Sequence, residues 1–289
     1  MMESPDNLPS FLVYAPGYSH RSAGHRALYR LCHLLNAAGY SAAISPWLNC
    51  PPSRDYDTNP DWNVPMYLGP AGSSIVIYPE TARGNPLGAK RVVRWTLNYP
   101  GLLGGDSFFP DEEMVFVSAE ITLPVVNRSV RTPLGKERVL TVPLIDPSCI
   151  YPDPQVAKVV DCVFTYKGKS MRERFPLANE KDLIRVEDNS PTMRALGDLL
   201  RRTRTLYSYD HQSYILKEAL ICGCEIRVVH EGGQLLDPRA CSCAINLDWS
   251  DNVLETYAQD FDDPRFVRPL IEQVTKRWPD ALLDLRPER

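Results

Sequence analysis

The stretch Leu206-Tyr-Ser-Tyr-Asp210-His-Gln-Ser-Tyr-Ile215-Leu-Lys-Glu218-Ala-Leu-Ile-Cys222-Gly-Cys-Glu-Ile226 carries a short strand, a polar loop, a helix and a glycine stop in a fixed order. Residues 206–209 alternate as a strand end does. Asp210 stands where a helix N-cap accepts from the free N–H groups of the next turn, and Ile215, Ala219 and Cys222 recur at helical spacing on one face. Gly223 predicts the stop. A helix beginning at Asp210 brings Glu218 round to nearly the same azimuth, because a little over two turns of about 3.6 residues separate them. Two carboxylates so placed can face one ligand. The same spacing also fits an acid-capped amphipathic helix in an ordinary α/β domain.

Outward from this stretch the chain alternates strands with helices. Phe11-Leu-Val-Tyr-Ala15 reads as a buried strand, and the small-residue loop after it, with Gly17, Gly24 and His25, opens a helix over residues 22–38. Leu28, Leu31, Leu34 and Leu35 form its buried face and Gly39 ends it. Residues 41–45 make a second strand, 46–70 a long Pro/Asn/Asp/Trp-rich surface loop, and 74–78 a third strand with Glu80 at its carboxyl end. Asn85 and Pro86 read as the cap and first residue of a helix that carries Lys90, Arg91 and Arg94 and ends near Gly101. Residues 114–118 form a further strand, 139–145 an extended segment, and Pro147, Pro152 and Pro154 mark a stiff linker.

In the second half, the strand over residues 159–166 runs into Lys167-Gly168-Lys169. A strand at 183–186, a helix over 191–202 capped by Ser190, the strand at 226–229 and a helical tail over 268–278 follow. Strand–helix alternation predicts an α/β fold with parallel sheets. The domains expected are 1–146, 147–263 and a C-terminal helix in 264–289.

The 289 residues carry 32 basic and 36 acidic side chains, a net charge of −4, with 44% apolar and 24% charged residues. That balance fits a globular chain with real cores and argues against a sequence-independent nucleic-acid binder. With no basic region leading into an apolar run, and no apolar run of about 18 residues, the expectation is a cytoplasmic protein whose eight Cys are reduced. Cys222 with Cys224, and Cys241 with Cys243, are spaced too closely for an ordinary zinc site. The triplets Asp55-Tyr-Asp57 and Asp260-Phe-Asp262 follow no buried strand and read as solvated acids.

The segment from Asp210 resembles the C-terminal-domain signature of GT-B nucleotide-sugar glycosyltransferases, in which an acid, seven residues and Glu-Ala precede a glycine; the match falls on Asp210, Glu218, Ala219 and Gly223. Asp stands where Glu is usual. Residues 76–101 are separately similar to a segment of bacterial capsule and lipopolysaccharide (O-antigen) glycosyltransferases. The resemblance implies two Rossmann-like domains facing across a cleft, with the acceptor on the first domain and the nucleotide sugar on the second, and the last helix crossing back to the first. It implies that Asp210 contacts the donor sugar, that Glu218 holds the ribose hydroxyls, and that Lys167 and Lys169, with Arg172 as a third candidate, neutralise the pyrophosphate beside Tyr209. Gly17 and Gly24 would lie under the donor phosphates.

A retaining, metal-independent transfer is implied, with no cofactor beyond the nucleoside diphosphate sugar donor; an inverting one would draw its base from His25 or Glu80. The acceptor implied is a glycan or a lipid-linked glycan of surface polysaccharide synthesis, with Lys90, Arg91 and Arg94 making peripheral contact at the inner face of the membrane. The rival reading is a non-catalytic two-domain protein that binds a sugar nucleotide or acts as a sensor.

Overall fold

All five residues of β1 (Phe11–Ala15) are buried, the pattern of a strand covered on both faces. β1 occupies an inner position in a fully parallel sheet of order β2-β1-β3-β4-β5, formed with β2 (Ala42–Pro46), β3 (Ile75–Pro79), β4 (Arg91–Thr96) and β5 (Met114–Val117). The computed structural model describes residues 8–47, 59, 61–239 and 257–281. The chain divides into two compact units, Met1–Leu144 with Asp262–Arg289, and Ile145–Phe261.

In the first unit, α1 (Ala23–Ala37) crosses from β1 to β2. Ser22 is its N-cap, accepting from the His25 N–H at 3.3 Å. Leu28, Leu31, Leu34 and Leu35 are 0–2% exposed, and each contributes about 1.5–3 kcal/mol of burial. α1 also holds the two places where the chain leaves and re-enters this unit. Arg26 Nη1 donates to the Leu144 carbonyl at 3.3 Å and Arg30 Nη2 pairs with Asp262 Oδ1 at 2.7 Å. Asp262, expected to be merely solvated, is therefore the exposed partner of a buried arginine; Asp55, Asp57, Cys241 and Cys243 lie outside the described residues.

The helix expected from Asn85 and Pro86 is a turn followed by β4. Asn85 Oδ1 accepts from Ala89 N–H at 2.9 Å and its Nδ2 donates to the Ala89 carbonyl at 2.8 Å, closing the turn on itself. Val92, Val93, Trp95 and Thr96 then suit a strand buried on both faces. The basic helix face consequently does not form: Lys90 is exposed in the turn, Arg91 Nη1 donates to the Ser73 carbonyl, and Arg94 is fully buried. Between β2 and β5 the described connections contain no helix, so strict strand–helix alternation fails in this unit.

The second unit repeats the strand order. With β6 (Val160–Phe164), β7 (Ile184–Arg185), β8 (Thr203–Ser208), β9 (Glu225–Val229) and β10 (Leu235–Leu236), the sheet runs β10-β9-β8-β6-β7, parallel except for β10. Counted within each unit, both sheets are 2-1-3-4-5, a doubly wound order. The strand expected at 183–186 shrinks to two residues because Val186 already begins α4 (Val186–Asn189). α5 (Met193–Arg202) is capped by Thr192, which accepts from Ala195 N–H at 3.1 Å; Ser190, the expected cap, donates to Val186 O instead. Within the stretch read as a linker, Cys149 and Ile150 pack into this unit's core and the Cys149 carbonyl accepts from Arg201 at 2.8 Å, while Pro152 and Pro154 are exposed.

α6 (Ile215–Ile221) begins five residues after Asp210, so Asp210 is not its N-cap and the shared azimuth with Glu218 lapses. At its other end Gly223, at φ +78°, lets Gly223 N–H and Cys224 N–H reach the carbonyls of Leu220 and Ala219. α2 (Leu123–Val126) and α3 (Lys169–Arg174) are short, and α7 (Arg268–Arg277), with Pro269 in its first turn, packs Leu270 and Val274 inward in the first unit. The protein is thus α/β, with two mostly parallel five-stranded sheets. No helix among the described residues is long and apolar enough to cross a membrane.

Candidate functional site

In a 2-1-3-4-5 sheet the connections after the first and third strands diverge to opposite sides, which opens a crevice at their carboxyl ends where ligands of such folds bind. In the second unit these ends belong to β6 and β8, and they carry Lys167, Lys169, Tyr209 and Asp210.

The loop after β6 is a tight turn held from several sides. The N–H groups of Thr165 and Tyr166 both donate to Glu187 Oε1, at 2.7 and 2.8 Å. Tyr166 adopts φ +31°, an uncommon state for a residue with a side chain. Gly168 follows because nothing larger fits: a Cβ there would lie 2.3 Å from the backbone carbon and oxygen of Tyr209. Lys167 and Lys169, on either side, are exposed, and neither has a carboxylate partner among the described residues. The Lys167 ammonium lies 5.8 Å from the Tyr166 ring centre.

Asp210 joins this turn to the end of β8. Its Oδ2 accepts from the Lys167 N–H at 3.4 Å and its Oδ1 from the Gln212 N–H at 3.1 Å, and Ser208 Oγ bridges its backbone N–H and carbonyl. The residue is 5% exposed. Tyr209 is committed elsewhere: its hydroxyl accepts from Leu177 N–H and donates to Glu180 Oε2 at 3.0 Å, and burial raises its pKa. Glu180 also takes Arg172 Nε at 2.5 Å, so Arg172 is paired and the cations left for an anion are the two lysines. Glu218 lies in α6 at 1% exposure.

Two groups here were not picked out by motif. His211 follows Asp210, and His230 follows the end of β9. Their rings stack at 6.1 Å with 7° between planes, half-buried at the same sheet edge. His211 Nε2 lies 2.6 Å from the Val229 carbonyl, which can only accept, so Nε2 carries the proton and Nδ1 of the neutral ring is the acceptor. Residues so far apart in sequence announce the pairing only once β8 and β9 are known to be neighbours.

In the first unit the corresponding strand ends are those of β1 and β3. Gly17 lies in the loop after β1, Gly24 and the half-buried His25 in the first turn of α1, and Glu80 directly after β3. Glu80, 3% exposed, accepts from Leu97 N–H at 2.8 Å and so ties the end of β3 to the residue after β4. Burial raises its pKa, against the backbone N–H groups of Leu97 and Asn98. Leu97 also approaches Gly24, whose added Cβ would meet Leu97 Cδ1 at an ordinary 3.8 Å. Glu80, as it stands, organises loops.

Cys222 and Cys224 are buried thiols, which burial pushes up to about 11 and about 12. Lys158 Nζ donates to the Cys222 carbonyl and to that of Leu200, capping the ends of α5 and α6 together. Among the described residues no group of three or more His, Cys, Asp or Glu is placed to hold a metal ion. Compared with known proteins, the chain matches no family model and no curated protein.

Proposed function

We propose that the second unit binds a nucleoside diphosphate sugar at the carboxyl edge of its sheet, and that the protein is a glycosyltransferase passing that sugar to a glycan or lipid-linked glycan. The observation that carries this reading is the Lys167-Gly168-Lys169 turn at the carboxyl ends of β6 and β8, with two exposed ammonium groups that lack carboxylate partners among the described residues. A departing nucleoside diphosphate gains negative charge in the transition state, and cations already fixed beside it lower the barrier. Asp210, behind the lysines, accepts from a sugar hydroxyl. With Nε2 of His211 on the Val229 carbonyl, its Nδ1 supplies a second acceptor beside Asp210. Glu218, at 1% exposure, lies deeper than any of these, and its ribose contact rests on the resemblance.

Retention of anomeric configuration requires no base on the acceptor side, and Glu80, with its carboxylate on Leu97, is better suited to shaping the loops there. The acceptor assignment rests on the likeness of residues 76–101 to capsule and lipopolysaccharide transferases. Calorimetric titration with a panel of nucleoside diphosphate sugars, followed by turnover assays with glycan acceptors, tests the proposal. Binding with turnover supports it; binding without turnover identifies a non-catalytic sensor; and no binding at millimolar concentrations of any donor overturns it.

A further inference from the structure

A cavity of about 270 Å³ opens in the first unit beside β5, well separated in sequence from the loops after β1 and β3. Phe109, Val115, Val130 and Leu134 give it apolar walls, and Arg138 and Arg277 bring two guanidinium groups to it. At about 30 Å³ per water it has room for roughly nine waters, hence for a ligand of about that many heavy atoms.

The arginines are unevenly committed. Arg277 Nη2 donates to the carbonyls of Asp111 and Glu112, at 2.8 and 2.9 Å, which fastens α7 to the segment before β5. Arg138 is half-buried, and among the described residues its guanidinium makes no hydrogen bond and no ion pair; its contact is the face of Phe116, 5.5 Å away. Burial lowers its pKa, the Glu137 charge opposes that, and the Arg277 charge adds to it. Two of the three lining carboxylates have arginine partners of their own, Glu113 with Arg94 and Asp111 with Arg131 at 3.8 Å, while the exposed Glu137, accepting from the Gly135 N–H at 3.3 Å, makes no ion pair with Arg138. A guanidinium has five donors, and those of half-buried Arg138 remain within reach of solvent, open to an anion that enters the cavity.

We infer that this cavity is a binding site for a small organic anion, an aromatic or short-chain carboxylate or phosphate monoester, whose charged head pairs with Arg138 and whose body lies on Phe109, Val115 and Leu134. The inference is independent of any donor site in the second unit.

The test uses the full chain and titrates benzoate, phenyl phosphate and inorganic phosphate by calorimetry against wild type, Arg138→Gln and Arg138→Lys. Arg138→Gln removes no side-chain hydrogen bond among the described residues, so unliganded melting should stay close to wild type. Expected are binding of benzoate or phenyl phosphate, weakened about ten- to a hundred-fold in Arg138→Gln and less in Arg138→Lys, with inorganic phosphate at least ten-fold weaker than phenyl phosphate. Failure of both aromatic anions to bind, or equal binding by Arg138→Gln, overturns the site. Inorganic phosphate binding as well as phenyl phosphate overturns the assigned ligand class.

Discussion

Replacing Arg94 by Met probes the loop that carries Glu80. Arg94 is fully buried and its five donors are all used: Nε and Nη2 on the two oxygens of Glu113, at 2.8 and 2.9 Å, Nη2 also on the Gly84 carbonyl, and Nη1 on the carbonyls of Ala82 and Pro79. Its guanidinium also lies 5.2 Å from the ring centres of both Tyr78 and Phe109. Met keeps most of the volume but strands the Glu113 side chain, 9% exposed, with its charge unpaired. Breaking a buried pair from one side costs about 3–5 kcal/mol, whereas replacing both partners with apolar groups is often near neutral. Arg94→Met should therefore cost about 3–5 kcal/mol, and Arg94→Met with Glu113→Met clearly less than Arg94→Met alone. Urea unfolding followed by tryptophan fluorescence reads this unit, since Trp95 adjoins Arg94, is fully buried and donates to the Leu140 carbonyl. A loss below about 1 kcal/mol in Arg94→Met, or a double variant worse than both single ones, would show that Glu113 does not depend on Arg94 for its burial.

Gly168→Ala should force the turn after β6 away from Tyr209, lowering stability by about 1–3 kcal/mol and weakening nucleotide binding; a urea midpoint and affinity equal to wild type would contradict the close approach. Glu80→Gln keeps an acceptor for Leu97 while removing a buried charge. Because burial holds the Glu80 pKa above its unfolded value, the native state loses stability as pH rises through that window, and the substitution should raise the melting temperature more at pH 8 than at pH 4; a pH-independent difference would count against it. His211→Gln keeps a donor for the Val229 carbonyl but replaces the ring-fixed Nδ1 acceptor by an amide oxygen at another position, so sugar transfer should slow with stability changed by less than about 0.5 kcal/mol, and an unchanged turnover number would remove His211 from the site.

Much of the framework was legible because its signals are local. The apolar runs of β1, β3, β5 and β6, the leucine face of α1 and the Gly223 stop need only a few residues each to be read. Residues 86–95 were misread for the opposite reason. Asn-Pro followed by spaced basic residues imitates a capped amphipathic helix, and what makes Arg94 an interior residue is Glu113, nineteen positions along the chain. Asp210 likewise looks like a cap, but its carboxylate serves Gln212 and the Lys167 turn, a contact between two strands' ends. Strand order is a property of long-range pairing, so neither the repeated 2-1-3-4-5 arrangement nor the His211–His230 stack follows from spacing. The position of Lys167 and Lys169 at the carboxyl end of β6 was legible because they sit directly after a clear strand.

On the proposed function, the two lysines after β6 hold a nucleoside diphosphate. Both are exposed, so Lys167→Gln with Lys169→Gln should leave folding within about 0.5 kcal/mol of wild type. Each charge-assisted hydrogen bond to phosphate contributes about 1.5–3 kcal/mol, so calorimetric titration of the double variant with nucleoside diphosphate should show affinity reduced at least ten- to a hundred-fold, with a shallower salt dependence than wild type. A wild-type protein that binds the nucleotide and a double variant that binds it equally well would contradict the account.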